Sequence, residues 1–160
     1  MSAGPLLGLA PMSEADYARY IARSLPEFAD EKVRAGSWAA SDALERSTQA
    51  YAKLLPEGLS TPGHFIFDLV GPGGSILGVL WLFIDAKFSP PRAFIYDVMI
   101  EQPHRGRGLG KAAMQLAESE ARKRGCNLIE LHVFAWNETA LALYRKIGYG
   151  FVDMVMAKPL

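Results

Sequence analysis

The chain has 160 residues, of which 50% are hydrophobic and 21% are charged. This size and composition are typical of one globular domain with a full core, so we predict a single domain over residues 1–160. Lysine and arginine together number 17, as do aspartate and glutamate. The balanced charge gives no reason to expect nucleic acid as a partner. Cys126 is the one cysteine, which excludes an internal disulfide framework and a cysteine-rich metal site.

The sequence carries no sign of membrane insertion or export. No apolar run approaches the roughly 20 residues that a membrane-spanning helix requires. The segment from Met1 to Met12 lacks the basic start and the small-residue cleavage site of a secretory signal. We therefore expect a cytoplasmic protein with no membrane partner and no bound metal.

The first sixty residues predict a short extended stretch and two helices. The extended stretch, Leu6 to Ala10, precedes Pro11. Ser13 is suited to cap a helix whose apolar residues recur at helical spacing as far as Pro26. A second helix is predicted from Ser41 to Leu54. Prolines and glycines then form turns, after which the pattern changes to that of strands.

The remaining hundred residues predict strands that alternate with helices. Two strands joined by a glycine-rich connection form a predicted hairpin, and a third long strand follows. The predicted strands are His64 to Val70, Ser75 to Ile84, Ala93 to Ile100, Leu128 to Phe134 and Tyr149 to Ala157. The predicted helices run to about Arg124 and from Asn137 to about Lys146. This order indicates a mixed α+β or α/β domain.

The most informative segment is the turn between the third strand and its helix. It reads Arg105-Gly106-Arg107-Gly108-Leu109-Gly110-Lys111. Its glycines leave backbone N–H groups accessible, the helix N-terminus adds positive dipole character, and three side chains are cationic. Together these features favour a phosphate-bearing ligand.

Two well-known phosphate loops do not fit this turn. A nucleoside triphosphate loop requires a hydroxyl residue after Gly-Lys, where this chain has Ala112, and a glycine where it has Arg105. The dinucleotide-binding loop requires a third glycine where this chain has Lys111. The pattern that remains is Arg-x-x-Gly-x-Gly.

That pattern resembles the pyrophosphate loop of the GNAT superfamily of acyltransferases. Two later segments strengthen the resemblance. Residues 131–137, Leu-His-Val-Phe-Ala-Trp-Asn, are similar to the family's next strand, and residues 140–149 are similar to its Ala-x-x-Leu-Tyr-x-x-x-Gly-Phe signature, with Tyr149 in place of Phe. The resemblance covers His64 to the C-terminus, whereas the first sixty residues fit the family only as two generic helices.

The resemblance implies a GNAT-like central sheet, mixed but mostly antiparallel, with splayed strands and flanking helices. It also implies acetyl-CoA as the cofactor, held by the turn and by backbone groups of a bulged strand before it. The implied cofactor-binding residues are Val98, Met99, Ile100, Arg105, Gly106, Arg107, Gly108, Leu109, Gly110, Lys111, Asn137 and Tyr144.

The implied activity is direct transfer of an acetyl group to a primary amine of a small molecule or peptide. A protein N-terminal acetyltransferase is one alternative, and a non-catalytic acyl-CoA sensor of the same fold is another. Dimers formed through the sheet are common in the family, and the sequence leaves a homodimer open.

The resemblance assigns two catalytic roles. Tyr144 has the position that usually protonates the leaving thiolate, and a phenol pKa of about 10 is close enough to a thiol's of about 8.5 for that transfer. Its other interpretation is a core tyrosine. His132 has a position that carries the general base in some members, and histidine is a residue type that can accept a proton near neutral pH. It could equally be a structural residue. Asp97 and Glu101 are rival bases, and many members use a water chain instead.

Two further groups keep two interpretations each. Asn137 is expected both to cap the following helix and to contact the pantetheine arm. The acidic residues Glu27, Asp30 and Glu31 belong to the helical region that commonly forms the acceptor wall in this family. They could attract an ammonium group or simply form a solvated helix face.

Overall fold

In the computed structural model, which describes residues 7–160, a five-stranded sheet carries helices on both of its faces. The strands lie side by side in chain order, and all neighbouring pairs are antiparallel except the last, which is parallel. The strands are β1 Gly8–Pro11, β2 His64–Val70, β3 Ile76–Asp85, β4 Arg92–Ile100 and β5 Leu128–Leu131. The predicted mixed, mostly antiparallel sheet is therefore confirmed.

Four α-helices cover the sheet. They are α1 Glu14–Arg34, α2 Ala43–Leu54, α3 Leu109–Lys123 and α4 Glu138–Lys146. Of the helices within residues 7–160, none is long and apolar enough to cross a membrane.

Two hydrophobic clusters fix which helices pack on which face. In the first cluster, Leu80 and Leu82 of β3 and Ile95 of β4 contact the small-residue face of α3 around Ala113 and Ala117. In the second, on the opposite face, apolar side chains of α1 and α2 pack on the sheet; its buried members are Met12, Tyr20, Leu55, Ile66, Val79 and Trp81. Because successive side chains of a strand point to opposite faces, the same strands contribute apolar side chains to both clusters. The result is a sheet between two helical layers.

Strand β4 is irregular at its centre. Trp81 of β3 pairs with Asp97, whereas the next residue, Leu82, pairs with Ile95, so Tyr96 is an extra residue on β4. This β-bulge re-aims the second half of the strand. Pairing of β4 with β5 ends at Ile95 and Leu131, although β4 itself continues to Ile100. The bulge and the splay that the resemblance implied are both present.

Helix α1 does not end at Pro26, as the sequence predicted, but runs through it to Arg34. Proline removes one backbone N–H and disfavours a helix interior. Here Tyr20 and Ser24, before the proline, and Ala29, after it, are all buried. Packing on both sides of Pro26 therefore overrides the local preference.

Two predicted strands also require correction. The strand predicted as Leu128 to Phe134 ends at Leu131, because β4 and β5 separate there and supply no further partner. The final strand predicted from Tyr149 to Ala157 is absent: these residues form no strand in the described chain. Of the extended stretch predicted from Leu6, Leu6 itself lies outside the described residues, and β1 begins at Gly8.

The absence of a side chain at Gly78 of β3 allows β4 to approach closely. A Cβ atom built at Gly78 would collide with the carbonyl oxygen of Met99. Any side chain there would therefore force the two backbones apart just before the glycine turn.

We expect Gly78→Ala to lower the free energy of unfolding by about 1–3 kcal/mol, because a methyl group must be forced into a filled space. Gly8→Ala is the matched control, since its Cβ would lie at an ordinary 3.5 Å from the Val70 side chain. Urea denaturation of both variants checks this. Equal midpoints for the two would contradict it.

Candidate active site

The turn between β4 and α3 is built by glycines in the left-handed conformation. Gly106 and Gly108 both have φ of 76°, and a Cβ at either would meet no atom within 4 Å. Gly108 is the N-cap of α3 and has no side chain to satisfy the first N–H groups of the helix. Leu109 is buried and anchors the turn to the core. The turn therefore presents unprotected amides to open space, which suits an anion.

The cationic side chains of the turn differ in their surroundings. Arg105 donates from its Nε to the carbonyl oxygen of Ile100 at 2.8 Å, which ties the turn to the end of β4. Arg107 and Lys111 are exposed. Lys111 also lines an open groove of about 450 Å³ between α3 and α4, together with Gln115, Glu118 and Lys146.

The second half of β4 has one free side. Val98, Met99 and Ile100 are paired with β3 but have no partner on the β5 side. The N–H of Glu101 donates to Leu77 at 2.8 Å, so by antiparallel alternation Met99 directs its N–H and C=O toward β3. Val98 and Ile100 direct theirs toward the splay. This alternation favours Val98 and Ile100 over Met99 as backbone partners for a ligand.

Asp97 lies beside this opening, on the face that α1 covers. Its Oδ2 accepts a hydrogen bond of 2.9 Å from the hydroxyl of Tyr20, which is 3% exposed. Burial raises the pKa of the Asp97 carboxyl to about 6, although the Tyr20 bond and the nearby Arg23 guanidinium favour its charged form. A carboxyl that titrates near neutrality is suited to accept a proton.

Further acids of α1 face the same space. Burial, and then the negative charges of Asp97 and Glu27, raise the pKa of the Glu31 carboxyl. Arg23 donates to Glu101 at 2.7 Å. Of the three acids noted in the sequence, Glu31 is half-buried, whereas Glu27 and Asp30 are exposed. The charges of Glu27 and Glu31 are nevertheless within electrostatic range of Asp97.

Tyr144 of α4 approaches the opening from the other side. Burial raises the pKa of its phenol, and the Asp97 charge raises it further. Tyr144 is half-buried and its ring lies 5.9 Å from that of Tyr149. Tyr144 therefore packs against the core, as one of its two interpretations expected, while its role as an acid stays a prediction.

The start of α4 is fixed by Asn137. The Asn137 side chain accepts a hydrogen bond of 3.3 Å from the N–H of Ala140, which confirms the predicted helix cap. A Cβ at Gly110 would lie only 3.1 Å from the Leu143 side chain. Glycine at position 110 therefore allows the first turn of α3 to approach α4 closely.

His132 follows the last residue of β5 and is exposed. Its ring packs edge-on against Phe134, with 4.9 Å between the ring centres. Phe134 in turn stacks on Trp136, which the Arg34 guanidinium covers at 3.9 Å. These rings join the segment after β5 to the end of α1, so Phe134 and Trp136 act in packing.

Sequence patterns did not identify Tyr20 and Arg23 as site residues. Tyr20 is separated from Asp97 by 77 positions, and both α1 residues have the ordinary spacing of a packed helix face. The one sequence feature that pointed to this part of the site was Asp97, an acidic residue within an otherwise apolar strand. Within residues 7–160, no cluster of three or more histidine, cysteine or acidic side chains could hold a metal ion.

Comparisons with known proteins agree with this geometry. Residues 25–149 match the model of the acetyltransferase (GNAT) family. Two uncharacterized N-acetyltransferases of Bacillus subtilis strain 168, YycN and YdgE, are 38% and 35% identical over 152 residues, and each match covers 95% of this chain and 97% of the relative. The crystal structure of YycN superposes with a TM-score of 0.93 at 37% identity, covering 97% of this chain and 99% of that one. The chain therefore belongs to the GNAT family and is an N-acetyltransferase.

Proposed function

We propose that the protein transfers an acetyl group from acetyl-CoA directly to a primary amine of a small molecule or peptide. The observation that carries this proposal is the parting of β4 from β5 after Ile95, with the free strand edge followed, after one short 3-10 turn at Gln102–His104, by the left-handed glycine turn. Members of the family generally use acetyl-CoA.

The residues of this chain fit coenzyme A in two places. Amides of Gly108, Leu109 and Gly110, with Arg105, Arg107 and Lys111 around them, suit its diphosphate. The outward backbone groups of Val98 and the outward N–H of Ile100 suit the pantetheine amides, which would add to β4 like a further strand. Asn137, at the start of α4, would complete the contact. Acetyl-CoA would supply an acetyl group activated as a thioester.

The surroundings of Asp97 support a cationic acceptor. Asp97, Glu27 and Glu31 interact electrostatically beside the opening, and such a group of carboxylates attracts an ammonium ion. Partial relatives act on amines: the thialysine N-epsilon-acetyltransferase of Bos taurus is 28% identical over 102 residues, and the streptothricin acetyltransferase of Streptomyces lavendulae is 33% identical over 90 residues.

Tyr144 would act as the general acid. Its raised pKa keeps the proton on the phenol oxygen at neutral pH, so the hydroxyl could donate to a departing thiolate. A backbone N–H on the free edge of β4 would stabilise the oxyanion.

Either Asp97 or His132 would accept the proton of the acceptor ammonium. The pKa of Asp97, about 6, is close to the value that a base needs at neutral pH. His132 has the family position for a base but stands exposed beyond β5. The place of Asp97 beside the opening, its hydrogen bond from Tyr20 and its raised pKa lead us to propose Asp97 for this role.

Release of free thiol from acetyl-CoA, measured with a panel of amines, tests the proposed function. We expect acetyl-CoA to bind saturably and some cationic primary amines to be turned over. Binding without turnover of any small amine or N-terminal peptide would favour the sensor instead.

Gly108→Trp should abolish the binding of acetyl-CoA, measured by calorimetry, because the bulky side chain would fill the amide turn. Gly73→Trp is the control, since Gly73 has φ of 77° and equally open space in the β2–β3 connection.

Tyr144→Phe should lower kcat by about 100-fold or more, because the departing thiolate loses its proton donor. Affinity for acetyl-CoA should change little. Tyr149→Phe also removes a hydroxyl from a partly buried ring, one that donates to Glu118 at 3.4 Å, and should leave kcat nearly unchanged. Steady-state kinetics on both variants check this. Equal loss of kcat in the two would remove Tyr144 from the mechanism.

The pH dependence of kcat/KM separates the two candidate bases. The folded-state pKa of Asp97 is raised to about 6, so its carboxylate is lost as the pH falls through that value, and kcat/KM should fall with it. Asp97→Asn should lower kcat/KM by about 100-fold and remove this acid limb. His132→Gln should retain it. An acid limb that persists in Asp97→Asn and disappears in His132→Gln would reverse the assignment.

A further inference from the structure

The bulge of β4 places two consecutive side chains on the same face of the sheet. In a regular strand, Tyr96 and Asp97 would point to opposite faces. Here the ring of Tyr96 stacks on Trp81, with 4.7 Å between the ring centres, and Asp97 accepts the hydrogen bond of Tyr20. Trp81 and Tyr20 belong to one hydrophobic cluster, on the face that α1 and α2 cover. The bulge therefore brings an aromatic ring next to the carboxyl of Asp97.

Tyr96 is also the first residue of β4 beyond its pairing with β5. The last paired residues are Ile95 and Leu131. Tyr96 is 37% exposed, although Trp81, on which it stacks, is 2% exposed. An aromatic ring that is exposed where the two strands part is available to a ligand.

The ring of Tyr96 belongs to an aromatic platform formed by His64, Trp81, Phe83, Phe94 and Tyr96. The indole N–H of Trp81 donates to Nδ1 of His64 at 2.9 Å, and His64 stacks on Phe83 with 4.5 Å between the ring centres. Phe94 meets Tyr96 edge-on at 4.8 Å. Burial lowers the pKa of the His64 imidazole, so this ring is neutral at neutral pH. The platform is therefore fixed in place and carries no charge.

An open groove of about 230 Å³ lies against the platform. Three platform rings line it, together with Phe88, Asp85, Arg92 and Glu130. The guanidinium of Arg92 lies 4.0 Å from the ring centre of Phe88, and the two carboxylates outnumber this one cation. An apolar cavity of about 150 Å³ can accept benzene, so the groove has room for an aromatic ring. Its excess of negative charge favours a ligand that is cationic.

We propose that the acceptor is a primary amine that carries an aromatic ring, and that this ring binds on Tyr96 in the groove while the amine lies at Asp97. This inference rests on the proposed function, because it names the class of acceptor. Aromatic rings stabilise one another in stacked and edge-on arrangements. Because adjacent Cα atoms are about 3.8 Å apart, a linker of about two carbons between ring and amine suits the two positions.

The transfer itself is unchanged by this choice of acceptor. The amine nitrogen forms a bond to the acetyl carbon as the carbon–sulfur bond of acetyl-CoA breaks. The proton of the amine passes to Asp97, and the departing thiolate takes the proton of Tyr144. The products are an N-acetylated arylalkylamine and free coenzyme A.

The kcat/KM of phenylethylamine, compared with that of cyclohexylethylamine at saturating acetyl-CoA, tests the inference. The two amines have the same charge, the same linker and a similar size, but only the first has an aromatic ring. We expect kcat/KM to be about tenfold higher for phenylethylamine. Equal values, or turnover of alkylamines alone, would overturn the inference and leave the proposed function standing. Absence of turnover with any amine would refute both.

Substitution of Tyr96 supplies the second arm. Tyr96→Leu should lower kcat/KM for phenylethylamine by about tenfold and change it little for cyclohexylethylamine, whereas Tyr96→Phe should retain the preference because it keeps the ring. Phe151→Leu is the matched control, since Phe151 is 53% exposed and does not line the groove. Unchanged affinity for acetyl-CoA would show that each variant is folded. An equal loss for both amines in Tyr96→Leu, or loss of the preference in the control, would overturn recognition by Tyr96.

Discussion

The site depends on the loss of hydrogen bonding between β4 and β5. Parallel strands that stay paired leave no polar backbone group for a ligand, and here the pairing stops at Ile95 and Leu131. The bulge at Tyr96 turns the rest of β4 in a new direction. Along this edge Arg105 already satisfies the carbonyl of Ile100, and the other outward backbone groups of Val98 and Ile100 are left for water or a ligand to satisfy.

The glycine turn follows that strand after one short 3-10 turn, Gln102–His104. The position of the free strand edge therefore fixes the position of the glycine turn. Arg105 returns to the carbonyl of Ile100 and so ties the turn to the free edge. Gly78 lets β3 hold the same part of β4 at close range. The turn, the edge and Asp97 are therefore parts of one backbone segment whose position is set from β3. Tyr144, from α4, closes the opening from the opposite side.

The sequence was sufficient where the relevant residues are contiguous. The glycine turn, the helix cap at Asn137 and the β2–β3 hairpin were predicted because local backbone chemistry determines them. The continuation of α1 through Pro26 could not be predicted, because it depends on the packing of residues on both sides of the proline. The hydrogen bond between Tyr20 and Asp97 could not be predicted either, because it joins two elements that are distant in sequence. The final strand is an instructive case: its apolar pattern was recognised, but the described chain offers it no pairing partner.

The most direct measurement of the central claim is a titration of the isotope-labelled protein with coenzyme A, followed by amide NMR. We expect saturable shifts of the amides of Val98, Ile100 and residues 106–111, and none at Gly73 and Gly74 in the β2–β3 connection. Coenzyme A that causes no saturable shift, or that shifts amides elsewhere while leaving the β4 edge unchanged, would contradict a cofactor site built on the parting of β4 from β5.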